Sequence, residues 1–236
     1  MALADDLTLK VREFVSDRWG AIPDGYVVPS ADSLTFGNTG VRIDATVLYA
    51  DIRGSTDMVD AVADTLAAEY YKAFLHCGAK IVKTAGGTIT AYDGDRLMAI
   101  FVGETQAANA ITAALKISGA VVDIINLQFL ALYGTSHRPL AHTVGIDCGK
   151  LLAAKTGVRV DSDLVWVGSP ANYAAKLNSF DGLDGAYPIR ATERAIQRAG
   201  GLNFFTKMVD GKSIWDGPYN NLACGSHFRT NINMDV

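Results

Sequence analysis

The spacing of apolar residues along the chain predicts alternating helices and strands. Apolar residues recur at helical spacing between Asp5 and Trp19, which predicts a short amphipathic helix. Glycine and proline breakers are frequent from residue 20 to residue 39, so we expect a connecting arm there. Residues 41–51 are rich in β-branched and aromatic side chains, which predicts a strand that ends at Asp51.

The next part of the chain is predicted to form helices, a hairpin and a further helix. Helical periodicity runs from Gly54 to about Thr84 in two pieces, and a Gly-Gly pair ends it. Residues 88–102 predict two strands joined by a tight turn at Asp93-Gly94, because an Asp-Gly pair between apolar runs is a strong hairpin signal. A long helix is predicted from Thr105 to about Phe129.

The second half of the chain carries shorter elements. The predicted elements are strands at 140–155 and 163–167, helices at 172–180 and 191–199, and strand-like segments near Ile189, Phe204 and Ile214. Helices that interleave with a hairpin-rich sheet predict an α+β fold, with a mixed or antiparallel sheet flanked by helices. We expect residues 1–40 to form an N-terminal helix and arm, 41–219 the main domain, and the polar residues 220–236 a tail.

Composition and charge exclude several classes of protein. Of the 236 residues, 49% are apolar and 19% are charged, which is typical of one large folded domain and excludes a disordered chain. The net charge is −4 and the basic residues form no run, so we expect no nucleic-acid partner. Lys116 and Asp123 interrupt the most apolar region before it reaches about 18 residues, so we expect no membrane span.

Cysteine usage and the first residues favour a cytoplasmic protein. Cys77, Cys148 and Cys224 are odd in number and widely spaced, which is typical of neither a disulfide framework nor a zinc site. The chain opens with acidic rather than basic residues, unlike a signal peptide.

Two aspartates lie where strands end, and both are candidate metal ligands. Asp51 ends one predicted strand and Asp95 follows the hairpin turn, so a rigid scaffold could hold the two carboxylates side by side. Paired carboxylates suit hard divalent cations such as Mg²⁺ or Mn²⁺. By spacing alone, the more common explanation is that Asp51 caps the next helix and Asp95 serves the turn.

Four sequence blocks resemble the motifs of one enzyme family. Residues 49–56 (YADIRGST) and 86–101 (GGTITAYDGDRLMAIF) are similar to the two metal motifs of the class III nucleotidyl cyclases, the adenylate and guanylate cyclase family. Residues 144–149 (VGIDCG) resemble its glycine-bracketed strand, and residues 167–177 (VGSPANYAAKL) the motif that carries its transition-state Asn and Arg. The blocks occur in the family order and span about residues 43–180.

The resemblance implies a fold, an assembly and a reaction. It implies a ferredoxin-like core with an elaborated sheet at residues 41–219, as the catalytic domain of a head-to-tail homodimer with two active sites across the interface. Asp51 and Asp95 would bind two Mn²⁺ or Mg²⁺ ions per active site, with the carbonyl of Ile52 as a third oxygen ligand. The ribose 3′-hydroxyl of a nucleoside triphosphate would attack the α-phosphate, and pyrophosphate would leave.

Further residues are expected at the nucleotide by their position in these motifs. The segment after the first metal motif would offer N–H groups to phosphate oxygens at a helix start, and its members are Arg53, Gly54, Ser55 and Thr56. Asn172 matches the family Asn that orients the ribose from the partner subunit. Lys176 stands where the family has Arg, which keeps the charge but loses the bidentate fork. Lys207 and Lys212 are alternative triphosphate ligands. The ordinary alternatives are a helix cap for Asn172 and a solvated lysine at 176.

The sequence differs from the purine cyclases at the positions whose side chains recognise the base. Ala91 and Val165 are apolar where those cyclases carry polar side chains for the purine edge. Tyr49, Tyr92 and Arg96 add larger or polar groups nearby, and a larger lining suits a smaller base. This combination resembles the pyrimidine nucleotide cyclases of the bacterial Pycsar antiphage system. A donor-rich wall favours the two carbonyls of uracil, so UTP is the favoured substrate.

Alternatives remain open at this stage. Arg96 could instead hold a triphosphate oxygen or Asp93, or be an exposed hairpin residue, and both tyrosines could simply pack in the sheet. The protein could be a cytidylate cyclase, a rewired adenylate cyclase, or a nucleotide-binding dimerisation module without activity. In the Pycsar setting, the cyclic nucleotide would activate a separate effector protein after phage infection.

Overall fold

A mixed β-sheet forms the centre of the protein, which a computed structural model describes over residues 2–180, 186–205 and 211–236. In chain order the strands are β1 (Asp24–Gly25), β2 (Val41–Ile52), β3 (Thr88–Asp93), β4 (Arg96–Val102), β5 (His142–Gly157), β6 (Ser162–Val167), β7 (Ile189–Thr192), β8 (Asp216–Asn221) and β9 (Gly225–Thr230). The main path of the sheet is β3-β4-β2-β5-β7-β9-β8, with β1 beside β2 and β6 beside β5.

The helices flank this sheet. They are α1 (Leu3–Ser16), α2 (Ser55–Ala61), α3 (Asp64–Thr84), α4 (Gln106–Gly119), α5 (Asn126–Tyr133), α6 (Ser169–Asn178) and α7 (Glu193–Arg198). These elements confirm the predicted α+β class and the mixed sheet, because β5 pairs with β7 in parallel and with β2 antiparallel. The predicted helix pair, hairpin and long helix of the first half are present as well.

Strand β2 is central, and its alternating side chains divide the core into two clusters. Successive side chains of a strand point to opposite faces of the sheet. Leu48 and Ala50 pack with α3, α4 and α7 in the larger cluster, on the side that we call the helix face. Ile43 and Val47 pack with Ala174 of α6 in the smaller cluster, on the side that we call the α6 face. Asp51, at the end of β2, therefore belongs to the α6 face.

One described helix is long and apolar enough to cross a membrane by length and composition. It runs from Gln106 to Tyr133, because the π-helical segment Ala120–Ile125 joins α4 to α5. Its most apolar window has a mean hydropathy of 1.6, and 61% of that window is buried inside the protein. Ile111 and Leu115 are fully buried in the larger cluster, as expected for the core helix of a folded domain.

The C-terminal residues belong to the sheet, which corrects the prediction of a tail at residues 220–236. Strand β9 pairs antiparallel with β7, and Phe228 is buried in the larger cluster. Strand β8 crosses the expected boundary at residue 219. The sequence pattern missed these strands because few of their residues are apolar, so that the backbone pairing holds them in place. The segments near Phe204 and Ile214 are turns or bends rather than strands.

The N-terminal helix lies on the outside of the protein. None of the residues of α1 is buried, although several of them are apolar. The side-chain amide of Asn38 donates to the carbonyl oxygens of Phe14 and Asp17 and so ties the end of the helix to the arm. The arm is in turn fastened to the sheet where β1 pairs with β2.

Candidate active site

The two candidate metal ligands lie side by side at one end of the central strands. Asp51 is the second-last residue of β2, and Asp95 follows Gly94 in the turn between β3 and β4. Ala50 pairs directly with Leu97, so the antiparallel register brings the hairpin turn next to the end of β2. Gly94 has a φ of +60°, a conformation that glycine adopts without strain, and it allows the tight turn.

Two oxygens of this carboxylate pair are buried and unsatisfied. Asp51 Oδ1 and Asp95 Oδ2 have no hydrogen-bond partner among the described residues. Burial raises the pKa of Asp51, the hydrogen bond from Arg96 opposes that rise, and the carboxylate of Asp95 adds to it. Two buried acceptors without donors are costly unless a cation satisfies them, so the pair fits a divalent metal ion.

The pair by itself supplies fewer ligands than a closed metal site. The described residues contain no group of three or more His, Cys, Asp and Glu side chains that could hold a metal. Mg²⁺ is commonly held by one or two carboxylates together with substrate phosphates and water, so an open two-carboxylate site suits it. Ile52 follows Asp51 directly and has its side chain buried on the helix face, which leaves its carbonyl as the candidate third oxygen.

Arg96 makes a contact that sequence reasoning did not anticipate. As the first residue of β4, it donates from Nε to Asp51 Oδ2 at 2.9 Å, and its Nη2 lies 2.8 Å from the same oxygen. Arg96 is therefore not an isolated surface residue, and its hydrogen-bond partner in this structure is Asp51. The same guanidinium also acts on Tyr49, whose phenol pKa is raised by burial and partly lowered again by Arg96.

A small cavity adjoins the carboxylate pair on the α6 face. It has a volume of about 180 Å³ and is lined by Tyr49, Ala91, Asp93, Arg96 and Met98. Sites for whole small molecules are usually roughly 300–1,000 Å³, so this cavity fits part of a nucleotide rather than all of it. The structure thus brings together three of the predicted nucleotide-binding residues, Tyr49, Ala91 and Arg96.

Two lining residues, Asp93 and Met98, were missed from the sequence. Met98 lies two residues after Arg96 on the same strand, so strand alternation alone predicts that both face the same side. Asp93 pairs directly with Arg96 across the hairpin. The hairpin register, which follows from the predicted turn, was therefore a sufficient signal for both residues.

Tyr92 lies on the other face of the sheet, which corrects the expectation that it joins the nucleotide pocket. It pairs directly with Leu97, whose side chain is buried in the larger cluster on the helix face. Tyr92 itself is 56% exposed and does not line the cavity of its own chain. A bulge between Ile89 and Ala91 interrupts the alternation of β3 just before it.

The residues after Asp51 change direction at the same end of β2. Gly54 has a φ of +66°, and α2 begins at Ser55 with Thr56 behind it. The backbone N–H of Arg53 donates a hydrogen bond to the carbonyl oxygen of Ala141. The first N–H groups of a helix lack partners within the helix, so Ser55 and Thr56 stay candidates for phosphate binding beside Asp51.

Helix α6 crosses the sheet so closely that two glycines are required beneath it. A Cβ atom on Gly145 would lie 2.1 Å from the carbonyl oxygen of Ala174, and one on Gly149, whose φ is +143°, would lie 3.4 Å from Cγ of Pro170. At the far end of the helix, Thr143 donates to the buried side chain of Asn178. These contacts explain the glycine spacing of residues 144–149, which the sequence alone did not assign to a packing role.

Asn172 and Lys176 do not line the cavity beside the carboxylates of their own chain. Both lie on the exposed side of α6, four residues apart, while the buried side of the helix faces the sheet. The start of the helix, at Pro170, lies beside Gly149, which pairs with Ala45 roughly 20 Å along β2 from Asp51. The other end, at Asn178, contacts Thr143, which pairs with Asp51 itself.

Neither Val165 nor Lys212 lines the cavity beside the carboxylate pair. Val165, on β6, pairs with Ala154 far along β5 and is 40% exposed. Lys212 is exposed in the turn before β8. Lys207 falls outside the described residues.

Comparisons with known proteins give relatives along nearly the whole chain. No family model matches the sequence. A protein of Xanthomonas perforans named uridylate cyclase is 43% identical over 222 residues, which cover 92% of this chain and 90% of that protein. A uridylate cyclase of Burkholderia cepacia is 45% identical over 217 residues, 91% of each chain.

Solved structures give the same fold at lower sequence identity. The guanylyl cyclase Cya2 superposes with a TM-score of 0.66 at 18% identity, covering 83% of this chain and 95% of that one. The adenylyl cyclase CyaB from P. aeruginosa superposes with a TM-score of 0.65 at 21% identity, covering 81% and 95%. These structures confirm the predicted fold of a class III cyclase catalytic domain. On the evidence of the two relatives, the chain belongs to the uridylate cyclase family.

Proposed function

We propose that the protein converts UTP to 3′,5′-cyclic UMP and pyrophosphate. One observation carries the proposal, namely that a pair of buried carboxylates with unsatisfied oxygens adjoins a cavity whose wall combines Ala91 with Arg96 and Tyr49. The names of the two relatives support the same substrate. Mn²⁺ or Mg²⁺, two ions per active site, is the proposed cofactor.

The chemistry follows from what each residue offers. Asp51 and Asp95, with the carbonyl of Ile52, would hold the metal ions. When bound, such ions favour loss of the 3′-hydroxyl proton and offset the charge of the phosphates. In the reaction a bond forms between the ribose 3′-oxygen and the α-phosphorus. The bond from that phosphorus to the β-bridging oxygen breaks, and the hydroxyl proton passes to solvent.

Residues around the carboxylates would bind and orient the nucleotide. The start of α2 would bind the triphosphate through Ser55 and Thr56, preceded by Arg53 and Gly54, and Lys212 is a further candidate for the same charge. Asn172 would orient the ribose, and Lys176 would place a positive charge near the reacting phosphate. A lysine makes a single point contact there, because it lacks the bidentate fork of arginine.

The base is proposed to be a pyrimidine because of what the cavity wall lacks. Ala91 gives no hydrogen bond to a purine edge, and Val165 would give none either. Arg96 donates only, and uracil presents two carbonyl acceptors where cytosine presents one and an amino donor. UTP is therefore proposed as the substrate and CTP as its nearest competitor.

A complete active site is proposed to form across a homodimer. The exposure of Asn172 and Lys176 supports this assembly, because neither residue lines the cavity of its own chain and both are accessible to a second copy. The small volume of the cavity supports it too, because a second chain would complete the enclosure of the nucleotide.

The biological setting is proposed from the resemblance to the Pycsar cyclases. The protein would act in the cytoplasm, where its substrate is present, and would make cyclic UMP as a second messenger in antiphage defence. A separate effector protein would sense the product. Among the described cysteines none forms a disulfide, which is compatible with a reducing compartment.

Incubation of the pure protein with each of four labelled nucleoside triphosphates and Mn²⁺ tests the proposed activity. We expect cyclic UMP and pyrophosphate from UTP, and little product from ATP or GTP. Cyclic CMP as the main product would move the assignment to a cytidylate cyclase, and cyclic AMP to a rewired adenylate cyclase. Nucleotide binding without any product would leave only a dimerisation module.

A further inference from the structure

Arg96 is the counter-ion of a residue that the proposed function assigns to metal binding. Its Nε and Nη2 atoms both contact Asp51 Oδ2, at 2.9 and 2.8 Å. The Arg96 side chain is 35% exposed and the Asp51 side chain 16%, so the ion pair stands at the rim of the site. Asp51 Oδ1, by contrast, is buried without a hydrogen-bond partner among the described residues. One oxygen of the carboxylate is thus taken and the other is open.

The charge of this guanidinium is permanent. Burial lowers the pKa of Arg96, but the hydrogen bond to Asp51 and the charges of Asp51, Asp93 and Asp95 raise it overall. Since arginine stays protonated, the group can leave Asp51 only by moving and not by losing its proton. A side chain at the start of a strand, beside a cavity that it already lines, has room to do so.

We propose that Arg96 alternates between two partners that exclude each other: Asp51 in the metal-free protein, and the nucleotide once Asp51 ligates a metal ion. A guanidinium held at 2.8–2.9 Å from a carboxylate oxygen would be strongly repelled by a divalent cation on the same carboxylate. The released group already lines the cavity beside Tyr49 and Ala91, where a nucleotide carbonyl or phosphate oxygen can accept from it. This inference rests on the proposed function, because it takes that cavity as part of the nucleotide site.

The exclusion makes a thermodynamic prediction about metal binding. In the nucleotide-free protein the ion pair competes with the metal for Asp51, so removing the guanidinium should tighten metal binding. Coupling between two binding events is reciprocal. A nucleotide that engages the released Arg96 therefore makes it easier for Asp51 to accept the metal.

The first test is a Mn²⁺ titration of the nucleotide-free full-length protein by calorimetry. Arg96→Met should bind Mn²⁺ at least about 5-fold more tightly than the wild type, the lower end of ordinary coupling between sites. Arg42→Met is the matched control, because Arg42 lies at the other end of β2, is exposed and carries the same charge. Equal Mn²⁺ affinities of the wild type and Arg96→Met would overturn the inference, as would an equal tightening in the control.

The second test follows the side chain itself. The ¹⁵N–¹H signal of Arg96 Nε, assigned by its loss in Arg96→Lys, should be protected from solvent exchange in the metal-free protein and lose that protection on addition of Mg²⁺. Unchanged protection in the Mg²⁺-saturated protein would show that the ion pair and the metal coexist, which contradicts the exclusion.

The third test separates this device from simple damage to the site. Arg96→Met should have a lower kcat/KM for UTP even though it binds Mn²⁺ more tightly, whereas structural damage would weaken both. Unchanged kcat/KM would overturn the transfer of Arg96 to the nucleotide. Failure of the proposed function is recognised separately: the wild type would then make no cyclic UMP, while the Mn²⁺ titrations remain readable. Absence of Mn²⁺ binding to every nucleotide-free variant would overturn this inference, while the UTP assay would still decide the proposed function.

Discussion

The buried carboxylate of Asp147 forms an ion pair with the partly exposed guanidinium of Arg194, which also contacts helix α6. Asp147 is fully buried and accepts from Arg194 Nε at 2.7 Å, from Arg194 Nη2 and from the hydroxyl of Thr192. Arg194 also donates to the hydroxyl of Ser169 at 3.0 Å and lies over the ring of Tyr173. Ser169 and Tyr173 flank Asn172 on α6. The ion pair therefore sets the position of the helix that carries the proposed ribose ligand.

Replacing Arg194 by Met should destabilise the protein and lower its activity. The change leaves the buried charge of Asp147 with one neutral partner, and because Arg194 is itself 44% exposed the expected cost is about 2 kcal/mol. Urea unfolding measures that loss, and the UTP assay measures the activity. Arg198→Met is the control, because Arg198 lies on α7 like Arg194 and its surface ion pair with Asp44 is expected to contribute less than about 1 kcal/mol. If Arg194→Met and Arg198→Met behave alike, the ion pair has no special role.

Replacing Asp95 by Asn should abolish cyclisation without unfolding the protein. The substitution removes a charge from the metal site while keeping the shape of the side chain. Loss of several kcal/mol of charge stabilisation, about 3 or more, corresponds to a rate lower by at least about 100-fold. In the metal-free protein the melting temperature should be equal or higher, because the substitution removes repulsion with Asp51. Wild-type turnover by an Asp51→Ala, Asp95→Ala double variant would contradict the proposal that these two carboxylates bind the metal ions.

Two inactive variants should restore activity when they are mixed. Neither Asp51→Ala nor Asn172→Ala should cyclise UTP alone, since each removes one half of the proposed site. Subunit exchange produces heterodimers in which one site is intact, so activity should approach about a quarter of the wild-type value at full exchange. That fraction assumes random pairing and one working site in half of the dimers. Subunit exchange is monitored by light scattering or with labelled subunits. If activity does not recover although exchange has occurred, each chain forms a complete site by itself.

The preference for UTP over the purine nucleotides should be large. Ala91 leaves a purine edge without hydrogen bonds, so kcat/KM for UTP should exceed that for ATP and GTP by at least about 100-fold. CTP should be the nearest competitor. If the guanidinium contacts a uracil carbonyl, Arg96→Ala should narrow the difference between UTP and CTP; if it contacts phosphate, both rates should fall equally. Efficient synthesis of cyclic AMP by the wild type would contradict the pyrimidine assignment.

Acidification should destabilise the folded protein through His142. The ring is buried beside Phe74 with Nε2 unsatisfied among the described residues, and burial lowers its pKa to about 4 from 6.5. Between these values the unfolded chain holds a proton that the folded chain does not. The free energy of unfolding should therefore fall as the pH is lowered through this window, by at most about 3 kcal/mol.

Urea unfolding of the metal-free protein at pH 7 and pH 5 measures this dependence. His142→Phe should flatten it, because phenylalanine keeps the aromatic packing and carries no titrating nitrogen. His76→Gln is the control, since His76 is exposed on α3. A His142→Phe protein with the wild-type pH dependence would assign the acid sensitivity to other groups.

The elements that could be predicted from the sequence are those with strong local signals. The hairpin was found from its Asp93-Gly94 pair, although the turn itself lies one residue later, at Gly94-Asp95, because turn chemistry and strand alternation act over a few residues. Strands β8 and β9 were missed because they lack an apolar pattern, and the sheet edge offered by β7 provides their hydrogen bonds. Tyr92 was misplaced because it was assigned to the same pocket as Ala91, although consecutive residues of a strand point to opposite faces of the sheet.

The sequence by itself determined the family, the fold class and the choice of Asp51 and Asp95 as candidate metal ligands. These depend on the order of the motifs and on strands that end at defined residues. Only the tertiary structure decided which partners those residues have. The contact between Arg96 and Asp51 joins strands β2 and β4, 45 positions apart in the chain. The position of Asn172 on the exposed side of α6 depends on how that helix packs against the sheet over Gly145. Both depend on the packing of distant segments, and no local pattern of residues encodes such distances.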